Sequence, residues 1–115
     1  MKHTAAAIMR HFGLTPCYRG YDALLHAIML AVENRSRLRN AALDIYAPTA
    51  TALGTKPANI ETNIRTMVQR AWQVDRAFLC DLAGYRLDSP PSALQFIEIL
   101  ANHLAEAETT DFKKL

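Results

Sequence analysis

The sequence predicts an all-α fold of six helices, one domain over residues 1–115, with a core spanning about 4–105 and a polar tail over 106–115. Three observations carry that prediction. Apolar residues recur at spacings of three and four almost everywhere, and no segment alternates with period two. The interruptions carry Gly or Pro where helices stop and start. Finally, 115 residues, 50% hydrophobic and 21% charged, form an ordinary globular composition. A chain of that length can bury a core without disulfides or a structural metal.

Each element has its own justification. Ala5, Ile8, Met9 and Phe12 mark a short first helix, stopped by Gly13 and Pro16. Tyr21, Leu24, Leu25, Ile28, Met29 and Val32 mark the second. Leu38, Ala42, Ile45, Tyr46 and Leu53 continue the pattern in a third, where Pro48 must kink the helix or open its second part. Gly54-Thr55-Lys56 is a break, and Pro57 suits the first turn of a fourth helix, where its missing N–H costs nothing. That helix carries Ile60, Ile64, Met67, Val68 and Ala71 on one face and ends near Trp72. Phe78, Leu79, Leu82 and Ala83 form a fifth, with Gly84 as a left-handed cap. Ser89-Pro90-Pro91 is a linker, and Ser92 with Gln95 reads as a capping box. The sixth helix buries Ala93, Phe96, Ile97, Leu100, Ala101 and Leu104, and the tail from Glu106 is expected to fray. The expected core includes Leu25, Ile28, Ile60, Ile64, Leu82, Phe96 and Leu100, with Trp72 and Tyr85 in the core or at its edge.

The total charge of +2 points to no particular partner, but its distribution does. Residues 1–76 hold ten Lys/Arg against five Asp/Glu, and residues 77–115 hold three against six. An anionic partner is therefore expected on the first two-thirds of the chain. Cys17 and Cys80 form no CxxC, and the apolar run Ala5–Met9 is too short for a signal peptide or membrane span. Free, buried thiols in a reducing cytoplasm follow. His3, His11, His26 and His103 are scattered, with no metal-ligand spacing. Cys17 and His26 lack a group to orient them as nucleophile and base. Neither GxxxxGK[ST] nor GxGxxG occurs. No enzyme, metal or cofactor is expected. His26 itself reads as a solvated or hydrogen-bonded surface histidine.

The segment from Tyr46 to Trp72 is more informative. A helix-turn-helix needs two helices joined by a tight turn, often with Gly. It also needs a small residue in the first helix and an apolar pin early in the second. Ala50, Gly54 and Ile60 stand at such spacing. The outward positions of the second helix, Asn59, Glu61, Thr62, Asn63, Arg65, Thr66 and Gln69, can hydrogen-bond base edges or phosphates. A plain helical hairpin with a polar outer face is the alternative, and Thr49 and Asn63 are polar where these motifs often put apolar residues. Arg35, Arg37 and Arg39 are either phosphate contacts or solvated loop charges.

The ordered set Gly13-Leu14, Gly20-Tyr21, Ile45-Tyr46-Ala47-Pro48, Ala50, Gly54-Thr55, Pro57, Ile60-Glu61, Ile64-Arg65, Ala71-Trp72, Gly84-Tyr85 and Phe96-Ile97 resembles the DNA-binding effector domain of the sporulation master response regulators of endospore-forming bacteria (the stage 0 sporulation protein A family). The resemblance implies a six-helix fold whose second helix-turn-helix element, about residues 57–72, enters the major groove of double-stranded DNA. It implies a cytoplasmic transcription regulator. Lys56, Arg65 and Arg70 are then candidates for phosphates, Asn59, Glu61 and Thr62 for base edges, with Asn63 and Thr66 beside them. A second copy on DNA and a related full-length regulator are further partners to consider. The family usually presents arginines where this sequence has Asn59 and Thr62, while Glu61 and Arg65 are retained. A protein-interaction module that has lost DNA binding is therefore the alternative. The family also joins this domain to a receiver, for which these residues leave no room. If Met1 is the true start, phosphorylation control of the usual kind is not expected.

Overall fold

The structure, a computed structural model, describes the backbone of residues 2–114 and the side chains of residues 5–106. Among the described residues every regular element is helical. In order these are α1 (Lys2–His11), α2 (Tyr21–Glu33), a 3₁₀ segment (Arg35–Asn40), a π-helical segment (Ala42–Tyr46), α3 (Ala47–Leu53), α4 (Pro57–Ala83) and α5 (Ala93–Lys114). Asp75 leaves helical geometry at φ −160°, ψ 80° and divides α4 into two limbs, residues 57–74 and 76–83. With that break, the described residues form six α-helices, as many as the periodic segments predict.

Helix α2 lies at the centre, packed against both α4 and α5. It buries Ala23, Leu24, Ala27, Ile28 and Ala31. Against it α4 sets Ile60, Ile64, Met67, Val68, Ala71 and Leu79, and α5 sets Phe96, Ile97 and Leu100. Phe12, at the end of α1, closes the bundle with its ring 5.3 Å from that of Phe78 and 6.1 Å from that of Phe96. Of the expected core residues, Leu25 and Leu82 are only partly buried, flanking the core rather than filling it. Trp72 is also partly buried against the core, but Tyr85 is 49% exposed, placed outward by the loop that follows Gly84.

The third periodic segment is not one helix. Pro48 opens α3, and the turn before it is widened so that the Ala47 N–H bonds to the Ala42 carbonyl, five residues back. In a regular α-helix the Pro48 ring would meet the carbonyl of Asp44. The wider turn relieves that clash. At the other end of the chain the backbone of α5 runs on to Lys114, past the point where fraying is expected. Ala105 and Glu106 are both good helix formers, so polar composition alone does not end the helix. Ser92 caps α5, its Oγ accepting the Gln95 N–H at 3.0 Å, but the Gln95 side chain donates to the Tyr85 hydroxyl instead of returning to the cap. Half of the capping box therefore forms. His3 lies outside the residues whose side chains are described.

Two contacts between distant parts of the chain set where α4 lies. Asp75 caps the second limb, its Oδ1 accepting the Phe78 N–H at 3.0 Å. Its Oδ2 is 2.9 Å from His11 Nε2, and the His11 ring lies 3.8 Å from that of Phe78. The break in α4 is thus tied to the end of α1. Further along, Gly20 precedes α2 with an ordinary φ of −84°. Its lack of a side chain matters for another reason: a Cβ there would sit 2.6 Å from the Asn63 carbonyl oxygen and 2.7 Å from Met67 Cγ.

Three outcomes follow for stability. Gly20→Ala should cost about 1–3 kcal/mol, the range for overpacking, because one of the two clashing atoms belongs to helix backbone. Ile64, fully buried, should cost roughly 2–5 kcal/mol on truncation to Ala. Denaturant melts measure both. The Asp75 carboxyl is held below the usual range by the Phe78 N–H and then by His11. A carboxyl depressed on folding stabilises above its unfolded pKa, and that gain is lost as pH falls through the folded value. Asp75→Asn retains a capping oxygen. The wild type should therefore be the more stable near neutral pH, and the gap should close as pH drops below about 4. A constant gap in melts across that range would contradict the assignment.

Candidate nucleic-acid interface

Helix α3, the turn Gly54-Thr55-Lys56 and the first limb of α4 form a helix-turn-helix. Gly54 takes the left-handed conformation at φ 69°. There its N–H bonds to the Thr51 carbonyl at 3.3 Å, and the Thr55 N–H reaches the Ala50 carbonyl at 2.9 Å. These two bonds end α3 and reverse the chain. Lys56 is then extended (φ −100°, ψ 148°), as a residue before proline prefers. Ala50 and Ile60 are both buried at the expected positions.

The two polar residues at odds with a typical motif have physical explanations. Thr49 is fully buried, with its Oγ1 2.9 Å from Nδ1 of His26 on α2, so its hydroxyl is satisfied. That bond also accounts for His26, which is half-buried rather than solvated. Asn63 is half-buried on the side of α4 that carries its backbone against Gly20.

With the Ile60–Ala71 face buried, the opposite face is fixed outward. Asn59, Thr62, Arg65, Thr66, Gln69 and Arg70 are all exposed and share an arc of about 140° at 100° per residue. Glu61 and Asn63 fall on its two flanks. The Asn59 amide donates to Thr55 Oγ1 at 2.9 Å, and Thr66 Oγ1 donates to the Thr62 carbonyl at 3.2 Å. The Arg65 guanidinium donates to both carboxylate oxygens of Glu61. Arg70 lies over the Tyr18 ring, 4.5 Å from its centroid. Lys56 stands exposed just before the helix, whose first turn holds no acidic residue. Of the other arginines weighed for phosphate, Arg37 is occupied: it donates to the Leu30 carbonyl at 2.8 Å and pairs with Glu33 at 3.1 Å. Arg35 and Arg39 are exposed.

The loop before α2 holds residues that periodicity could not point to. Tyr18 meets Arg70, and Arg19 lines a cleft of about 300 Å³ beside the start of α4. For Arg19 the only sequence signal is the positive balance of the first two-thirds of the chain, and for Tyr18 there is none. The same loop exposes Cys17, so that thiol is free but not buried. Cys80 is half-buried, its sulfur accepting the Leu87 N–H at 3.3 Å. Among the described residues no group of His, Cys, Asp and Glu could hold a metal, and no helix is long and apolar enough to cross a membrane.

Fold and outer face together define a helix-turn-helix protein whose second helix presents a polar surface. The family model described as sporulation initiation factor Spo0A C terminal matches residues 5–104 of the 115. The chain belongs to that family, which consists of DNA-binding regulatory domains of sporulation regulators and not of enzymes.

The electrostatics of this face can be read at Tyr46. Burial pushes its hydroxyl above the usual tyrosine value, Glu61 pushes it further, and Arg65 partly offsets both. Glu61→Gln should bring the Tyr46 titration down while leaving it above the ordinary value, and Arg65→Ala should move it up. Ultraviolet titration, with Tyr46→Phe to assign the transition, checks both; shifts of the opposite sign would contradict the placement.

Proposed function

We propose that this chain binds double-stranded DNA sequence-selectively and regulates transcription in the cytoplasm as a sporulation-type effector domain, with residues 57–72 in the major groove. The observation that carries the reading is the polar arc of α4, set outward by a buried helix-turn-helix in a member of a DNA-binding family. Lys56, Arg65 and Arg70 serve as phosphate contacts. Asn59 and Thr62 face base edges, Glu61 acts from the flank, and Asn63 and Thr66 support the backbone contacts. Asn59 suits adenine, to which an amide can bond in bidentate fashion. Arg65 and Arg70 each leave an internal partner, Glu61 and Tyr18, to reach a phosphate.

A second reading has a specific observation in its favour. Asn59 and Thr62 stand where the family usually has arginines, and Arg65 is paired with Glu61. An outer face so short of unengaged cations also suits a protein partner, such as a related full-length regulator.

Titration on selected and scrambled duplexes at several salt concentrations separates the two. DNA binding should weaken with salt through counterion release. Arg65→Ala should weaken both duplexes and flatten the salt slope by about one unit. The unmodified chain should bind the family's preferred site weakly. Asn59→Arg with Thr62→Arg should shift it toward that site, by about 1–3 kcal/mol for each bidentate guanine contact restored. Tight, selective binding of the family site by the unmodified chain would show that those arginines are dispensable. No gain in the double variant would favour the protein partner.

A further inference from the structure

The cleft beside the start of α4 is unlike the flat polar arc. About 300 Å³ in volume, it is lined by Arg19 from the loop before α2, Asp22 from α2, Leu53 from α3, Thr55 from the turn, and Ile60 and Asn63 from α4. Two stretches far apart in sequence, residues 19–23 and 53–63, thus meet at one spot. Its lining divides by chemistry: Leu53 and Ile60 are apolar, while Arg19, Thr55 and Asn63 carry hydrogen-bond donors. Leu53 is 42% exposed at the end of α3, where the helix gains nothing from an exposed leucine. Arg19 is exposed, and among the described residues no carboxylate lies within ion-pair distance of it, although Asp22 lines the same cleft.

From this we infer that the cleft seats one sugar–phosphate unit of duplex DNA, with Arg19 on the phosphate and Leu53 against the deoxyribose. The inference rests on the DNA-binding reading and extends it to a second strand of contacts outside the polar arc. A guanidinium offers a fork of donors that matches phosphate oxygens. Apolar side chains at the rim suit the carbon face of a sugar. The position of Arg19 is fixed by its neighbour, because Gly20 lies directly on the Asn63 backbone and Tyr18 carries Arg70. The loop backbone is therefore anchored on α4, which places Arg19 at the helix's flank. A backbone contact of this kind sets the register of the helix in the groove and carries no sequence information.

The contact can be tested on the full chain with a selected and a scrambled duplex, each titrated at several salt concentrations. Arg19→Ala should lower the affinity for both duplexes by the same factor and reduce the salt slope by about 0.9, the value for one lost phosphate contact on duplex DNA. Arg19→Lys should preserve the slope. Asp22→Asn should tighten binding to both duplexes, since it removes the one negative charge in the cleft. Leu53→Asp should weaken both. Arg19 is exposed, so its variants should melt with the wild type, which separates lost contact from lost fold. If the wild type binds but Arg19→Ala leaves affinity and slope unchanged, the cleft is not a phosphate seat and the wider reading survives. If Arg19→Ala weakens only the selected duplex, Arg19 reads bases and the inference is equally wrong. If the wild type binds neither duplex, both readings fall together.

Discussion

Burial of one face of α4, from Ile60 through Ile64, Met67 and Val68 to Ala71, is the constraint on which the remaining structure depends. A helix that buries one stripe along its length cannot rotate without dragging five apolar side chains into water. The outward positions are therefore fixed as firmly as the core. Gly20 strengthens that constraint by letting the α2 N-terminus touch the Asn63 carbonyl, and the Thr49–His26 bond ties α3 to α2 from the other side. The helix-turn-helix is held by α2 at both of its helices. Its polar arc is held in place by the packing behind it, which is what the proposed docking in a DNA groove needs.

That fixed placement contrasts with the side chains on the arc itself. Arg65 is engaged by Glu61, and Arg70 by Tyr18. Both partners hold a cation in place at the surface, at a cost to its availability. Exposed pairs of this type are weak because water and salt screen them, so a phosphate can compete for the guanidinium. The partnerships orient the arginines along the helix instead of cancelling them. Asn59 and Thr62, by contrast, are short and neutral, and they make the middle of the arc a hydrogen-bonding surface with little charge of its own. Charge is then concentrated at the edges, with Lys56 and Arg19 near one end and Arg70 further along.

Much of this was legible in the sequence where local chemistry decides the outcome. Gly54 stops α3, Pro57 starts α4, Ser92 caps α5 and Gly84 ends the second limb at φ 82°, each through a rule confined to one turn. Ala50 and Ile60 marked the helix-turn-helix through a spacing of the same local kind. What periodicity does not show rests mostly on long-range contacts. The break between Trp72 and Phe78 was legible in the apolar pattern, but the contact that anchors it, Asp75 with His11 64 residues away, was not. Thr49 looks wrong for a core position until His26 arrives from α2. Tyr85 and Cys17 look apolar enough to bury, yet lie in loops whose course is set by the elements at either end. Arg19 joins the candidate site only because Gly20 brings its loop onto α4, and no periodicity in the loop announces that. Even the π-helical turn before Pro48, local as it is, reads in sequence only as a helix that must somehow yield.

Whether DNA meets this protein on the outer arc of α4, as we propose, can be read residue by residue from amide chemical shifts during addition of a short duplex. Fast, salt-sensitive shifts are expected at Asn59, Thr62, Thr66 and Gln69, extending to Arg19 and Thr55. Amides of α5 near Glu98, which is exposed on another element, should stay where they are. Shifts confined to the second limb of α4 and the loop after it, or none at duplex concentrations well above those typical of non-specific binding, would contradict it.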